Sequence, residues 1–591
     1  MNAEYRISGL PASPGIAIGR AFVYRKAAVT AVKYRVSDTG RELEKFKAGL
    51  IRAKAEFSEL KQQIVLRMGE EAAAIWDAQL LMLDDPETFE GTVRRIKEQR
   101  QDAASSFKEV MEEVAQGMQN SSNAYLKERS ADIRDMIWRV IKHIEAQSTL
   151  PVQDLPKDAI VLAHELSPAD TALMTHKKIL GFITESGGKT SHTAIVARSL
   201  EIPAVVGAPD LMLKAVSGLP VVLDGARGLA IFNPGPQTLE LYREEQKVFL
   251  KHLANLKRLR RQKAVTKDGH QVELSANIEM PEETASVLSH GAKGVGLYRT
   301  EFLFLTSDHL PTEEEQFQVY RRVAEKLSPD PVIFRTFDLG GDKLDNKTGP
   351  LSEANPFMGW RAIRFCLDRP EIFKPQLRAI LRASAHGQVK IMLPMICCLS
   401  EVLIAKQIIA GVKEELKSQG IKFDPGCQLG IMVETPSAAL TSRQLAREVD
   451  FFSIGSNDLT QYTLAVDRSN QKVAGLYDPF NPAVLRLIRE VSEQGHRAGI
   501  WVGMCGEMCA DPLAMPLLLG LGLDEFSMNP ASVPEIKRMI MNLSVDECRK
   551  VAARVMEESD PMAVRRLLFD FVVNILPDLK LAGQICSLER N

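Results

Sequence analysis

From residue 37 to 147, apolar residues recur at three- and four-residue steps. Leu43, Phe46, Leu50, Ala53, Phe57, Leu60 and Ile64 form one stripe, Phe107, Val110, Val114 and Met118 a second, and Ile133, Ile137, Val140, Ile141 and Ile144 a third. Lys, Glu and Arg fill the positions between, and Pro and Gly are sparse. The spacing predicts a bundle of four or more helices with no catalytic-looking cluster. The first twenty residues are unlike it: short extended pieces broken by Gly9, Pro11, Pro14, Gly15 and Gly19. From residue 159, β-branched runs such as Ala159–Leu162 and Val221–Leu223 alternate with helical segments, the texture of an α/β unit. The opening strands are expected to belong to that unit, which makes the bundle an insertion. Residues 238–263 then read as a charged connector helix, its basic cluster Lys257–Arg261 being exposed helix surface rather than a nucleic-acid patch.

Eight short β-rich runs follow: Val272–Ile278, Gly294–Tyr298, Val332–Phe337, Val389–Met395, Leu429–Val433, Phe451–Gly455, Ile500–Met504 and Asp524–Met528. Helix-compatible stretches separate them, so a (β/α)8 barrel is predicted, a fold that collects its chemistry where strands end. Unusual polar residues fall there: Arg299, Arg335, Glu434, Asn457, Asp458 and Cys505. Taken singly, Arg335 and Glu434 also read as a structural ion pair, and Cys505 as a small packed residue; the recurrence at successive strand ends favours a site.

With 591 residues, 45% hydrophobic and 25% charged, the chain has room for several globular domains. Its 74 Lys and Arg against 76 Asp and Glu give a net charge of −2, so charge makes no case for a nucleic-acid or anionic-membrane partner. No apolar run of about 20 residues is present to span a bilayer. The charged start Met1–Arg6 speaks against an export signal, and eight scattered Cys suit a reducing cytosol. A cytoplasmic multidomain protein is the expectation.

Arg299, Arg335 and Arg468 with Glu434 and Asp458 describe a site for a small polyanion and a hard divalent cation. Arg holds carboxylate or phosphate bidentately, and Mg2+ takes one or two protein carboxylates with substrate oxygens. Cys505 adds a proton donor; with Cys509 it is not a zinc framework. Metal-assisted phosphoryl transfer is the indicated class. The second sharp feature is Gly187–Arg198, GGKTSHTAIVAR. It is no Walker loop, because Ile stands at 183 where Gly is needed, and His164-Glu165 is no zinc-protease motif, because Pro168 replaces the second His. A Gly-rich turn enters a helix, Thr190 or Ser191 is placed to cap it, and His192 lies in or near the first turn, where a phosphate on the imidazole is favoured. His192 as a mere helix cap stays open on this local reading.

The stretch Gly187–Gly207 resembles the phosphohistidine signature of enzyme I of the bacterial phosphoenolpyruvate:sugar phosphotransferase system. So do Ala12–Ala21 (ASPGIAIGRA), Gly296–Phe304 (GLYRTEFLF), Phe334–Lys343 (FRTFDLGGDK), Asn355–Arg364 (NPFMGWRAIR), Val433–Ala438 (VETPSA), Ile454–Arg468 (IGSNDLTQYTLAVDR) and Gly503–Met508 (GMCGEM). The resemblance implies a multidomain α/β protein. Residues 1–23 and 148–235 form an α/β phosphohistidine (swivelling) domain, 24–147 an inserted helical HPr-docking subdomain, 236–263 a linker helix, and 264–591 a phosphoenolpyruvate-binding (β/α)8 barrel that also dimerises. It implies that His192 accepts the phosphoryl group from phosphoenolpyruvate and passes it to the phosphocarrier protein HPr. Arg299, Arg335, Asn457, Asp458 and Arg468 then bind substrate, Glu434 and Asp458 hold Mg2+, and Cys505 protonates the enolate of pyruvate. Cys509-Ala510 and Asn481 depart from the family pattern without touching those groups. Because one imidazole must meet both the barrel and HPr, the α/β domain is expected to swing on the connector. The rivals are a synthase- or dikinase-like enzyme, for which no nucleotide-binding domain is left over; a nitrogen-regulatory paralogue, which usually begins with a sensor domain; and a non-catalytic scaffold for phospho-ligands.

Overall fold

The structure is a computed structural model that describes residues 4–24, 35–68, 80, 82–83, 85–119, 136–137, 139–141, 143–145, 158–166, 179–188, 194, 197, 202–306, 309–340, 355–468, 470 and 472–577. The chain divides into two compact units, 1–250 and 251–591.

In the first unit, Phe46, Leu50, Ala53 and Phe57 of helix Thr39–Met68 bury one stripe against Ile96 of helix Pro86–Glu98, Phe107 and Met111 of helix Ala103–Gln119, and Ile137, Val140, Ile141 and Ile144. The apolar period of the sequence is thus the seam of this cluster. Helix Pro86–Glu98 begins where Asp85 caps it, accepting the Thr88 N–H at 2.9 Å, with Pro86 in the first turn. Beside the helices lies an eight-stranded sheet: β1 (Tyr5–Ser8), β2 (Leu10–Ser13), β3 (Ile16–Tyr24), β4 (Ala159–Ala163), β5 (Gly181–Thr184), β6 (Ala204–Val206), β7 (Pro220–Asp224) and β8 (Leu229–Phe232), in the order β1-β8-β7-β3-β4-β5-β6-β2. The opening strands therefore join the later α/β segment. β3, β4, β5 and β6 run parallel. Ile160 and Leu162 of β4 belong to one buried cluster and Ala159, Val161 and Ala163 to another. Burial on both faces is why this strand is a continuous apolar run rather than an alternating one. The helix Pro236–Leu259 follows β8, and the boundary between the two units falls within it.

The second unit is a closed barrel of eight parallel strands: β9 (Glu273–Ile278), β10 (Val295–Arg299), β11 (Val332–Arg335), β12 (Val389–Leu393), β13 (Leu429–Val433), β14 (Phe451–Ile454), β15 (Trp501–Met504) and β16 (Glu525–Met528). Each coincides, within a residue or two, with one of the eight runs read from the sequence. Leu297, Ile333, Met392, Met432 and Phe451 form an inner cluster apart from the large outer core that the surrounding helices share with the strands. The Phe451 and Trp501 rings stack at 4.5 Å, and Lys390 Nζ lies 4.5 Å from the Trp501 ring centre, so bulky side chains fill the end where the strands begin. Charged groups lie there too, the buried Glu525 facing Lys390 and Glu273; the polar residues picked out from the sequence lie at the opposite end.

Candidate active site

Strand parity puts the polar residues at the barrel mouth. Side chains two apart share a face, and Leu297, Ile333 and Met432 face inward. Arg299, Arg335 and Glu434 each come two residues later, so they continue the inward rows to the strand ends. Cys505, one residue past β15, is itself part of the inner cluster.

Arg335 is the centre of the site. Its Nη1 lies 2.8 Å from Asp338 Oδ2 and its Nη2 3.0 Å from Glu301 Oε1, while Arg361 Nη2 takes the other Asp338 oxygen at 2.8 Å. Burial opposes the charge on Arg335, but Asp338 and Glu301 outweigh it and raise its pKa further. Asp338 likewise raises Arg361 against its burial. Even so, the Nε atoms of Arg335 and Arg361 are buried without a hydrogen-bond partner among the described residues. Buried donors are nearly always satisfied, so these two guanidinium N–H groups call for an acceptor, whether a water or a ligand oxygen.

Glu434 is buried and accepts the Met395 N–H at 2.6 Å. The ion-pair partners of Arg335 are thus Glu301 and Asp338, while Glu434 rests on backbone. Burial pushes the Glu434 carboxyl well above the usual carboxylate range, and the charges of Asp338 and Asp458 push the same way. The local backbone is built around this group. Met395 holds a left-handed φ of 56°, as does Ala362 next to Arg361 at 53°; such non-glycine conformations cluster where a site over-determines the chain. A Cβ on Gly455 would lie 2.8 Å from Glu434 Cβ, and one on Gly506 only 1.8 Å from Ser456 Oγ, so neither position admits a side chain.

The remaining residues complete the rim. Asp458, in helix Ser456–Leu464, lies 3.9 Å from Arg468 Nη2. Asn457 Oδ1 accepts the Glu507 N–H at 3.0 Å, which orients its amide. Arg299 pairs with Glu279 at 2.7 Å, both half-exposed, a pair of small net worth that a competing anion displaces. Burial pushes the Cys505 thiol up to about 11, with Glu434 raising it and Arg335 and Arg299 lowering it. Cys505 is therefore a thiol, not a thiolate, near neutrality.

Asp338, Glu301 and Arg361 were not singled out by sequence reasoning, although all three lie inside the quoted motifs. Glu434 and Asp458 fit a hard divalent cation, since both are oxygen donors and the buried Glu434, though attracted by the charge of Arg335, makes no ion pair among the described residues. No group of three or more His, Cys, Asp or Glu poised for a metal occurs among the described residues, so substrate and water oxygens must supply the other positions.

In the first unit, the signature loop leaves β5 through Glu185 and Ser186. Glu185 Oε2 lies 2.6 Å from His164 Nδ1, and Ser186 Oγ 3.3 Å from His164 Nε2. Thr190, Ser191 and His192 lie outside the described residues.

Family models described as PEP-utilising enzyme, N-terminal; PEP-utilising enzyme, mobile domain; and PEP-utilising enzyme, PEP-binding domain match residues 8–129, 155–228 and 253–545. The phosphoenolpyruvate-protein phosphotransferase of Staphylococcus carnosus is 42% identical over 569 residues, 96% of this chain and 99% of the relative. That of a Bacillus species is 44% identical over 553 residues, 94% and 96% of the two chains. A solution structure of an Enzyme I protein is 38% identical and spans 41% of this chain and 99% of its own, with a TM-score of 0.37.

Proposed function

The chain belongs to the phosphoenolpyruvate-protein phosphotransferases, and on that premise we propose that it moves the phosphoryl group of phosphoenolpyruvate to its own His192 and then to HPr, releasing pyruvate. The observation that carries this reading is the pair of orphaned arginine donors beside two carboxylates at the barrel mouth.

Phosphoenolpyruvate carries a carboxylate and a phosphate. Arg299 and Arg468, loosely held and half-exposed, swing onto it, while Arg335 and Arg361 stay pinned by Asp338 and offer their Nε–H groups. Asn457 donates its amide, its oxygen being already engaged. Glu434 and Asp458 would hold Mg2+, which would supply positive charge to the phosphoryl oxygens. When the phosphorus leaves for the His192 imidazole, the enolate of pyruvate must take a proton on carbon. Cys505, protonated and buried at the strand end, gives it.

The same imidazole must reach HPr, for which the helical segment 24–147 is the docking surface, so the α/β domain of residues 1–23 and 148–235 swivels on the linker 236–263. The description of the model matching residues 155–228 as a mobile domain supports that motion. The barrel, 264–591, is the homodimer contact, and the cytoplasm, where HPr is met, is the location; no described helix is long and apolar enough to cross a membrane.

The stoichiometry of pyruvate release and its dependence on a carrier protein distinguish this cycle from other uses of phosphoenolpyruvate. Without HPr, enzyme and Mg2+ give one burst of pyruvate stoichiometric with His192; adding HPr converts the burst to continuous turnover. Continuous pyruvate release without a carrier, or no burst at all, overturns the reading.

A further inference from the structure

Two cysteines stand side by side in the loop after β12, and the reaction above uses neither. Cys397 is half-buried and Cys398 exposed, whereas Cys366, Cys427, Cys505, Cys509 and Cys548 are buried. A cation meets one sulfur and a helix N-terminus the other, the Glu401 carboxylate lying at the same turn and accepting the Cys397 and Cys398 N–H groups at 2.6 and 3.1 Å. Arg364 Nη2 donates to Cys397 Sγ at 3.2 Å, and Cys398 is the N-cap of the 20-residue helix Leu399–Ser418, the positive end of its dipole. Cationic neighbours and helix N-termini are the settings in which accessible cysteines react with oxidants instead of merely packing.

The same loop carries the site's buried carboxylate. Met395 N–H donates to Glu434 Oε1 at 2.6 Å, Thr435 Oγ1 donates to the Ile396 carbonyl at 2.7 Å, and Ser437 Oγ donates to the Cys397 carbonyl at 2.6 Å. Three hydrogen bonds therefore tie the backbone of the cysteine loop to the segment that begins with Glu434.

We propose that Cys397 and Cys398 are an oxidant-modified site that takes hydrogen peroxide and ends as a disulfide between the two neighbours. Cys397 sulfur attacks the peroxide; an S–O bond forms, the O–O bond breaks, and the distal oxygen leaves as hydroxide, which a proton turns to water. Cys398 sulfur then attacks the sulfenic acid. The S–S bond forms, the S–O bond breaks, and the second water leaves with the Cys398 proton. Both sulfurs are oxidised and the peroxide is reduced, so the balance closes.

The reduced geometry couples this chemistry to turnover. Cys397 Sγ is engaged with Arg364 and the Met395 carbonyl, Cys398 Sγ lies 3.0 Å from Ser400 Oγ, and the Cys398 backbone is extended at φ −150°, ψ 163°. Joining the sulfurs in a tight ring turns that backbone and breaks the bonds from the Cys397 carbonyl and the Met395 N–H. Glu434 then loses what orients it. The effect on turnover rests on the role of Glu434 given above; the sulfur chemistry does not.

The test uses the full chain, reduced, freed of reductant and treated with hydrogen peroxide. Tryptic fragment 391–406 holds both thiols and no other cysteine. It is expected to become lighter by the pair of hydrogens lost and inert to iodoacetamide. Self-phosphorylation from phosphoenolpyruvate is expected to fall roughly 10–100-fold, as when a group orienting a metal ligand is removed, and dithiothreitol restores both readouts. The double variant Cys397→Ser, Cys398→Ser keeps its basal activity and resists peroxide. A fragment with both thiols still free, a disulfide formed with no loss of activity, or a double variant as sensitive as the parent overturns the proposal, the last by assigning the damage elsewhere, such as Cys505. A reduced enzyme that takes no phosphate at all fails the functional reading instead, while the fragment mass still decides the sulfur chemistry.

Discussion

Replacing Asp338 by Asn removes the charge that holds two guanidiniums together. Each carboxylate oxygen serves a different arginine at 2.8 Å, and the side chains of Asp338, Arg335 and Arg361 are 3%, 11% and 12% exposed. A hydrogen bond to a charged group contributes about 1.5–3 kcal/mol net, and stripping a buried ion pair of one partner costs about 3–5 kcal/mol. Asn still accepts one hydrogen bond and Arg335 keeps Glu301, so the expected loss lies at the low end, about 3 kcal/mol. A second effect has the opposite sign: Asp338 is one cause of the raised Glu434 pKa, so its removal eases ionisation of Glu434 and strengthens divalent-cation binding at neutral pH. Urea unfolding of the metal-free protein, followed by tryptophan fluorescence, reads the first effect, and calorimetric titration with Mg2+ the second. An unfolding free energy changed by less than about 0.5 kcal/mol, the ordinary scatter of surface substitutions, would refute the charge-balancing role of Asp338.

The Glu434 carboxyl gives a pH signature. In the metal-free fold it keeps a proton that the unfolded chain releases above about 4.3, so its share of stability is full below that value and is lost as pH rises through its raised folded value. Glu434→Gln should flatten that part of the urea-midpoint profile and abolish Mg2+-dependent phosphorylation; an unchanged slope counts against the assignment. Mg2+ affinity should fall on acidification, because the proton must leave before the cation binds, a trend that calorimetry at several pH values checks. Cys505→Ala should slow pyruvate formation by about 100–10,000-fold with little change in KM. Because the thiol is pushed up to about 11, the wild-type rate should not decline through thiol loss between about pH 7 and 9, which a pH–rate profile tests. A crosslink that locks the mobile domain should leave either self-phosphorylation or transfer to HPr, and both persisting at normal rates would exclude the swivel.

The barrel was legible because parallel strands covered by helices are buried on both faces, so each is a short apolar run bounded by turns; β13, Leu429–Val433, begins and ends where the pattern placed it. Arg335 and Glu434 were legible because each interrupts such a run with a charge. Their partners were not. Asp338, Glu301 and Arg361 stand in loops and helices with no period to betray them, and the pairing of β10 with β11 is what brings Glu301 within 3.0 Å of Arg335. The pairing of Arg335 with Glu434, open on the sequence, gives way to two ion pairs on Arg335 and a backbone bond on Glu434. In the sheet, His164 and Glu185 meet because β4 and β5 run side by side, a contact 21 residues apart in sequence. Pairing across strands is what a linear pattern encodes least.

Phosphate linkage decides the central claim. Incubation with labelled phosphoenolpyruvate and Mg2+ should yield one phosphoprotein whose label is acid-labile and alkali-stable, resides in the fragment containing His192, and disappears in His192→Ala. Label retained by His192→Ala, or an acid-stable label in the parent, would contradict it.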